Sequence, residues 1–250
     1  MTRAGRIRAL LVICALVLLE ILCRVRLISP ESVVPPSAMV QGAVAALSTR
    51  DIRDNVLLTL GTVLQSLALS LVAGVLLGAL LHRLPRLRRA VDPLLAGYYA
   101  VPTFVFYPVF IVIFGLNRWP LVAIGFVIAV VAVIVNTLDG FARLPRAYAR
   151  TAQAMRLTPF QRARYVTLPA IAPWLFTGAK FAVAYSFIGV IAGEFVLAGA
   201  GIGHDIAFAY NAFDNRTMYG LILVLFAIVG AVNAFFSSWE YRLHERRGGR

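Results

Sequence analysis

Four stretches of this 250-residue sequence, Val56–Leu81, Pro93–Leu116, Trp119–Leu138 and Met218–Ser238, contain no charged residue. A helix crosses the hydrocarbon core of a bilayer with about 20 mostly apolar residues. In lipid, only helices and closed barrels satisfy their own backbone polar groups. Two more stretches are nearly as apolar: Pro173–Ala198 carries only Lys180 and Glu194, and Ala9–Ile28 is interrupted by Glu20, Arg24 and Arg26. The sequence therefore predicts an all-α integral membrane protein with six transmembrane helices in a single transmembrane domain, residues 1–250. The spans fall at about 9–28, 56–81, 93–116, 119–138, 171–198 and 218–238. Hydrophobic residues make up 60% and charged residues 14%, against about 45–50% and about 25% in soluble domains. An ordinary soluble enzyme is excluded.

The first stretch has an alternative reading as a cleaved signal peptide, because Arg3, Arg6 and Arg8 precede the apolar run. No small-x-small cleavage site follows Cys23, and Glu20-Ile-Leu-Cys lacks the small residues of a lipoprotein signal. A retained span is expected. Cys14 and Cys23 lie nine residues apart on that helix, too far along it to bridge each other.

The net charge of +13 suggests nucleic acid if the basic residues lie along soluble helices, so their placement decides. Of the 24 basic residues, 17 fall before span 1, at Arg83–Arg89, at Arg143–Arg164 and after Trp239. Only six, Arg24, Arg26, Arg50, Arg53, Arg118 and Arg216, fall in the opposite loops. This asymmetry predicts a multi-pass membrane protein with both termini cytoplasmic and no nucleic-acid partner.

Residues inside the spans carry further expectations. Thr62, Ser66, Ser70, Gly74 and Gly78 recur at every fourth position, a stripe that lets another helix approach closely. Pro102 and Pro108 remove backbone hydrogen bonds and predict a kinked third span. Freed carbonyls at membrane depth must face protein or a water-lined cavity. Tyr98, Tyr99, Pro102, Thr103 and Tyr107 are thus candidate pathway residues, with a kink that serves packing alone as the other reading. Charged groups in a span are functional suspects. Glu20 has Arg24 four residues on. Lys180 and Glu194 lie on similar sides of one helix but about 21 Å apart along it, so they cannot pair. Glu194 is either a pathway group or the partner of another helix.

Gly199-Ala-Gly201-Ile-Gly203 imitates a phosphate-binding fingerprint but follows a membrane span rather than a strand. A flexible gate segment within an extracytoplasmic loop, 199–216, is expected instead. No metal-ligand spacing is present, and the single lysine follows Ala179, so no Walker A motif exists. The chain carries no catalytic residue, metal or cofactor by this reading, and any ATP is bound by a partner.

Residues 140–169 form the longest and most basic cytoplasmic loop. Pro145 suits a first helical position, and Thr158-Pro159-Phe160-Gln161 reads as an N-cap, an N1 proline and a capping box. Two short helices joined by a sharp turn are predicted, the second ending at Leu168-Pro169. Tyr148, Met155, Leu157 and Phe160 supply apolar knobs for docking in a groove.

This segment resembles the permease subunits of bacterial ABC importers of the nitrate, sulfonate and taurine type. Their signature is Glu-Ala-Ala, three residues, Gly, nine residues, an aliphatic residue, any residue and Leu-Pro. Arg150, Thr151 and Ala152 stand for Glu-Ala-Ala, Arg156 for the glycine, Val166 for the aliphatic residue, and Leu168-Pro169 close it. Val34-Pro35-Pro36-Ser37, Phe114-Gly115, Gly178-Ala179-Lys180, Gly193-Glu194 and Gly201-Ile-Gly203 extend the likeness. The resemblance implies a non-catalytic transport subunit whose 140–169 loop is a coupling helix seated in an ATPase subunit. It also implies a second permease chain, identical or not, and an extracytoplasmic solute-binding protein. The cargo implied is a small anion such as nitrate, a sulfonate or taurine, or another small organic solute. Arg150 replaces an acid and Arg156 a turn glycine. The alternative is an ATP-independent carrier or channel using Glu194 and Lys180, although no inverted hydropathy repeat accompanies it. A membrane-embedded enzyme lacks the clustered acids and histidines it requires.

Overall fold

The computed structural model describes residues 3–29 and 32–248, and among these it contains helices and turns but no strand. In chain order the helices are α1 Arg3–Arg24, α2 Pro36–Ser48, α3 Arg50–Arg83, α4 Pro85–Gly97, α5 Tyr107–Phe114 and α6 Trp119–Ala142. They continue with α7 Arg146–Ala154, α8 Pro159–Arg162, α9 Leu168–Leu197, α10 Ile202–Asn211 and α11 Asn215–Gly248. Four helical stretches are long and apolar enough to cross a membrane: Arg50–Arg83, Trp119–Ala142, Pro159–Leu197 and Asn215–Phe236. α1 exposes Leu10, Leu11, Val12, Ile13, Leu16, Val17 and Leu18 around its circumference.

The third expected span is not one kinked helix. α4 ends at Gly97, two 3₁₀ turns follow at Tyr98–Ala100 and Thr103–Phe106, and a fresh helix begins at Tyr107. Pro102 therefore interrupts the chain, while Pro108 occupies the first turn of α5. There its missing N–H has no intrahelical acceptor to lose. The cytoplasmic hairpin also differs at one end. Its second helix does not stop at Leu168-Pro169 but passes through a π-helical turn, Ala163–Thr167, into α9. The Leu168 N–H bonds five residues back to the Ala163 carbonyl. The wider turn relieves the clash between the Pro169 ring and the carbonyl four residues earlier.

Contacts gather the chain into two compact units, Leu60–Gly193 with Val232–Arg250, and Met1–Thr59 with Glu194–Ala231. In the first, small residues meet at the fourfold spacing. Thr62, Ser66 and Ser70 of α3 are fully buried. The facing stripe on α6 is Gly125, Ala129, Val133 and Thr137: a Cβ on Gly74 would lie 2.5 Å from Val133 Cβ, and one on Gly78 would lie 2.7 Å from Thr137 Cβ. α9 adds Gly178, Ala182, Ser186 and Gly189, with Ser66 Oγ donating to Ser186 Oγ at 3.3 Å. A Cβ on Gly189 would lie 2.8 Å from Gly125 Cα. These are ridges of i+4 spacing, with one i+3 step from Ser186 to Gly189, on three helices in mutual contact. Beside them Leu81, Val130, Val131, Ile134 and Leu138 form a buried cluster, against which Val91 and Leu95 of α4 pack.

In the second unit, Ala43 and Ala46 of α2, Ile202 and Ile206 of α10, and Leu221 and Val224 of α11 form one core. Gly42 and Gly220 let α2 and α11 touch backbone to backbone: a Cβ on Gly220 would sit 2.5 Å from the Gly42 carbonyl carbon.

The seam yields a direct comparison. Gly74→Val is expected to destabilise the detergent-solubilised protein by about 1–3 kcal/mol through overpacking, seen as a lower midpoint of thermal unfolding. Gly61→Ala, with open space around its Cβ, should leave that midpoint unchanged or slightly raised.

Candidate functional site

Two places carry the polar chemistry that the sequence singles out, one in each compact unit. The first surrounds Glu194. Its side chain is fully buried near the C-terminal end of α9, and among the described residues no cation lies in ion-pair range of it. The carboxylate is held by donors instead. Thr59 Oγ1 donates to it, at 2.8 Å from Oε1 and 2.9 Å from Oε2, and the Gly203 N–H donates to Oε2 at 3.0 Å. Thr59 Oγ1 in turn accepts from the Ile202 N–H at 3.0 Å. Asn55 Nδ2, one turn before Thr59 on α3, donates to both carboxylate oxygens of Asp205 at 2.9 Å.

The Ile202 and Gly203 donors are the first N–H groups of α10. An α-helix leaves its first four N–H groups without intrahelical partners, and its N-terminus carries a partial positive charge. Gly201, the residue at the N-cap, has no side chain to offer and takes φ 109°. Glu194 and Thr59 supply the cap from two other helices. Glycine is required at 201 twice over, by that φ and because a Cβ there would run into the Glu194 carboxyl group. The expected flexible gate is thus a capped helix, with Ile202, Gly203, Ile206 and Ala209 buried. The structure gives Glu194 hydrogen-bond partners on two other helices, Thr59 on α3 and Gly203 on α10.

Glu20 repeats the device. Arg24 Nε donates to its Oε1 at 2.7 Å, as the spacing suggests, but Ser37 donates as well, from N at 3.0 Å and from Oγ at 2.7 Å. Ser37 lies in the first turn of α2, whose N-cap is Pro35 and carries no side-chain cap. Both span acids therefore cap a short helix whose own N-cap residue cannot. Asp214 does this conventionally for α11: its Oδ1 accepts from the Thr217 N–H at 3.1 Å, and hydrogen bonding from the Thr217 side chain, with that N–H second, holds its carboxyl below the usual range.

The remaining pathway candidates lie in the other unit. Tyr98 donates its hydroxyl to the Val127 carbonyl at 2.7 Å. Thr103 and Tyr107 are buried, Pro102 is exposed and Lys180 is half-buried on α9. The Tyr99 side chain lies outside the described residues. Cys14 and Cys23 are free thiols.

The second place is the hairpin of α7 and α8. α7 ends in a Schellman motif, with the Leu157 N–H on the Ala152 carbonyl at 3.1 Å and the Arg156 N–H on the Gln153 carbonyl at 2.9 Å. Arg156 takes φ 49°, the left-handed conformation that favours glycine. The capping box at Thr158 and Gln161 is closed in both directions, at 2.9 Å and 3.3 Å. Ala152 is buried, whereas Arg150 and Thr151 are exposed and Met155 and Phe160 are 66% and 72% exposed. A groove of about 560 Å³ beside the hairpin is lined by Arg143, Tyr148, Tyr165, Pro169 and Trp174, among others. Leu168 is exposed. Among the described residues no group of three or more His, Cys, Asp or Glu side chains comes together to hold a metal.

Three substitutions test these two places. Glu194→Ala strands the Gly203 N–H and the Thr59 hydroxyl, and is expected to cost about 2–4 kcal/mol of stability and to speed amide exchange through α10. Glu194→Gln retains an acceptor and should lose less. Arg156→Gly should stabilise the hairpin by up to about 1 kcal/mol, read as slower amide exchange at Arg156 and Leu157.

A family model described as "binding-protein-dependent transport system inner membrane component" matches residues 70–248. The formylaminopyrimidine transport permease protein ThiX of Halalkalibacterium halodurans is 32% identical over 167 residues, 67% of this chain and 67% of that protein. The bicarbonate transport system permease protein CmpB of Synechocystis sp. is 29% identical over 177 residues, 70% of this chain and 62% of that one. The nitrate import permease protein NrtB of Leptolyngbya laminosa is 30% identical over 168 residues, 64% of this chain and 60% of that one. This chain thus spans 60–67% of the length of these three relatives. A chain of the MetNI methionine ABC transporter in an inward-facing conformation shares the fold, with a TM-score of 0.64 at 20% identity over 74% of this chain and 92% of that chain. The protein is a membrane permease of the binding-protein-dependent transport system inner membrane component family of ABC transporters.

Proposed function

We propose that the chain is the permease subunit of an ABC importer that moves a small polar solute across the bacterial inner membrane. It pairs with a second permease and draws its energy from a separate ATPase. The family match over residues 70–248 carries this reading. The cargo class favoured is a small anion, because relatives bear the names of nitrate and bicarbonate permeases; the formylaminopyrimidine relative keeps a small organic solute within range. Six spans with both termini cytoplasmic complete the topology. α1 and the broken segment that follows α4, residues 98–114, add two crossings to the four long apolar helices.

The hairpin of α7 and α8 is the coupling element. A docking element must hold its shape against a partner that pulls on it, and here the Schellman motif and the capping box fix both sides of the turn. Met155 and Phe160 project as apolar anchors, and Arg150 offers a cation where relatives of this type carry an acid. The groove of the ATPase therefore presents a carboxylate toward Arg150. Because the hairpin continues through the π turn into α9 without a break, a displacement of the knobs is handed to the long helix that bears Lys180 and Glu194. Glu194 is a structural group in this scheme, not a carrier of charge through the pathway.

Co-expression with the cognate ATPase and binding protein tests this. Co-purification with the ATPase, and ATP turnover that rises when the loaded binding protein is added, are expected. Phe160→Ala with Met155→Ala should reduce ATPase association by at least about tenfold, as removing buried interface anchors does. Active uptake by the chain alone, or unchanged association of the double variant, overturns the proposal.

A further inference from the structure

We infer that α4 is an interfacial helix that binds the headgroups of anionic phospholipids, with its arginines on the phosphates and two leucines in the acyl boundary. Its thirteen residues, Pro85–Gly97, divide by angle into three faces. Val91 and Leu95 pack on the cluster of Leu81, Val130, Val131, Ile134 and Leu138. Leu87 and Leu94 lie beside that packed face, yet they are 44% and 70% exposed, and Leu84 just before the helix is 45% exposed. The remaining face carries Arg86, Arg88, Arg89 and Asp92. A short helix with one apolar face turned outward and arginines along its polar side lies in the plane of a membrane interface.

The charges on that face are unequal in what they have left to bind. Arg88 faces Asp92 at 3.7 Å, and both line a cleft against α6 that also contains Asp139. Among the described residues, Arg83, Arg86 and Arg89 pair with no carboxylate, and all three are exposed. Arg89 Nε does no more than donate to the Pro85 carbonyl at 3.4 Å. Guanidinium groups match phosphate oxygens bidentately. Basic clusters next to a membrane helix on its cytoplasmic side are drawn to acidic lipid. α3 ends at Arg83, two residues before α4 begins, so the arginines stand where the apolar length of α3 runs out. Charge complementarity selects anionic lipid over zwitterionic lipid as the occupant.

The inference rests on the proposed topology, and the experiment separates the two. The full-length protein in detergent is titrated with phosphatidylglycerol or phosphatidylcholine, and bound lipid per chain is counted by native mass spectrometry. Phosphatidylglycerol is expected to bind at least about tenfold more tightly than phosphatidylcholine. Arg86→Glu with Arg89→Glu should remove most of that preference while leaving thermal stability in detergent unchanged. Leu87→Ser with Leu94→Ser should weaken both lipids alike. Equal binding of the two lipids, or an unchanged preference in the arginine variant, overturns the lipid site. So does loss of ATPase co-purification in that variant with its lipid count intact, which assigns the face to the ATPase. Topology is read independently from Ala90→Cys in a Cys14→Ser, Cys23→Ser background, labelled with an impermeant maleimide. Labelling in inverted vesicles alone is expected; labelling in intact cells overturns the orientation, and with it the lipid face.

Discussion

Glu194 is shut away from water and must find donors, and both it and the half-buried Glu20 find theirs at the N-termini of short helices. The spare N–H groups at a helix start and the positive end of its dipole suit a buried anion. The reverse need is equally real, because α2 and α10 begin with Pro35 and Gly201, which cannot cap. Each acid therefore answers two deficits at once. Gly201 supplies a φ of 109° and the empty space in which the Glu194 carboxyl group sits. The core of Ala43, Ala46, Ile202, Ile206, Leu221 and Val224 needs α2 and α10 held at fixed angles to α11. The two caps and the contact of Gly42 with Gly220 set those angles.

The other unit solves a different problem. Lipid tails are as apolar as leucine, so exposing leucine there costs nothing and burying it gains little. Close approach has to supply the attraction between helices through packing and short polar contacts. The stripes on α3, α6 and α9 do this with Gly, Ala, Ser and Thr at the contact, and leave Leu64, Leu69, Leu76 and Val72 facing outward. Ser70 spends its hydroxyl on the Ser66 carbonyl at 2.8 Å and lies 3.2 Å from the Phe126 carbonyl. The hydroxyls of Ser66, Ser70 and Thr137 thus each bond within the bundle.

What could be foreseen from the residues followed the range of the interaction. The α3 stripe and the capping box at Thr158 are local patterns, with a period or spacing that geometry dictates, and both stand where the sequence puts them. The cap on α10 joins residues 135 and 143 positions apart, so the sequence of Glu194 and its neighbours holds no sign of Thr59. A signal did exist in Gly201-Ile-Gly203, since a glycine before a short apolar run with no capping side chain asks where its cap comes from. Proline was ambiguous for another reason. Each Pro removes one hydrogen bond, but neighbouring structure decides whether the helix breaks, as at Pro102, restarts, as at Pro108, or widens into a π turn, as at Pro169.

The hairpin separates the shape of a signature from its letters. The left-handed residue at 156 is held by two backbone hydrogen bonds from Arg156 and Leu157, which any side chain permits at a cost of about 1 kcal/mol. Arg26 and Phe213 end α1 and α10 in the same non-glycine way, with φ of 60° and 57°. A glycine at such a position improves stability without being required for the turn. The turn can therefore survive the loss of its glycine while the exposed charge at 150 changes sign, because the backbone fixes the path of the chain and the side chains only what it meets. In the proposed coupling role, recognition by this element depends on which residues the turn exposes.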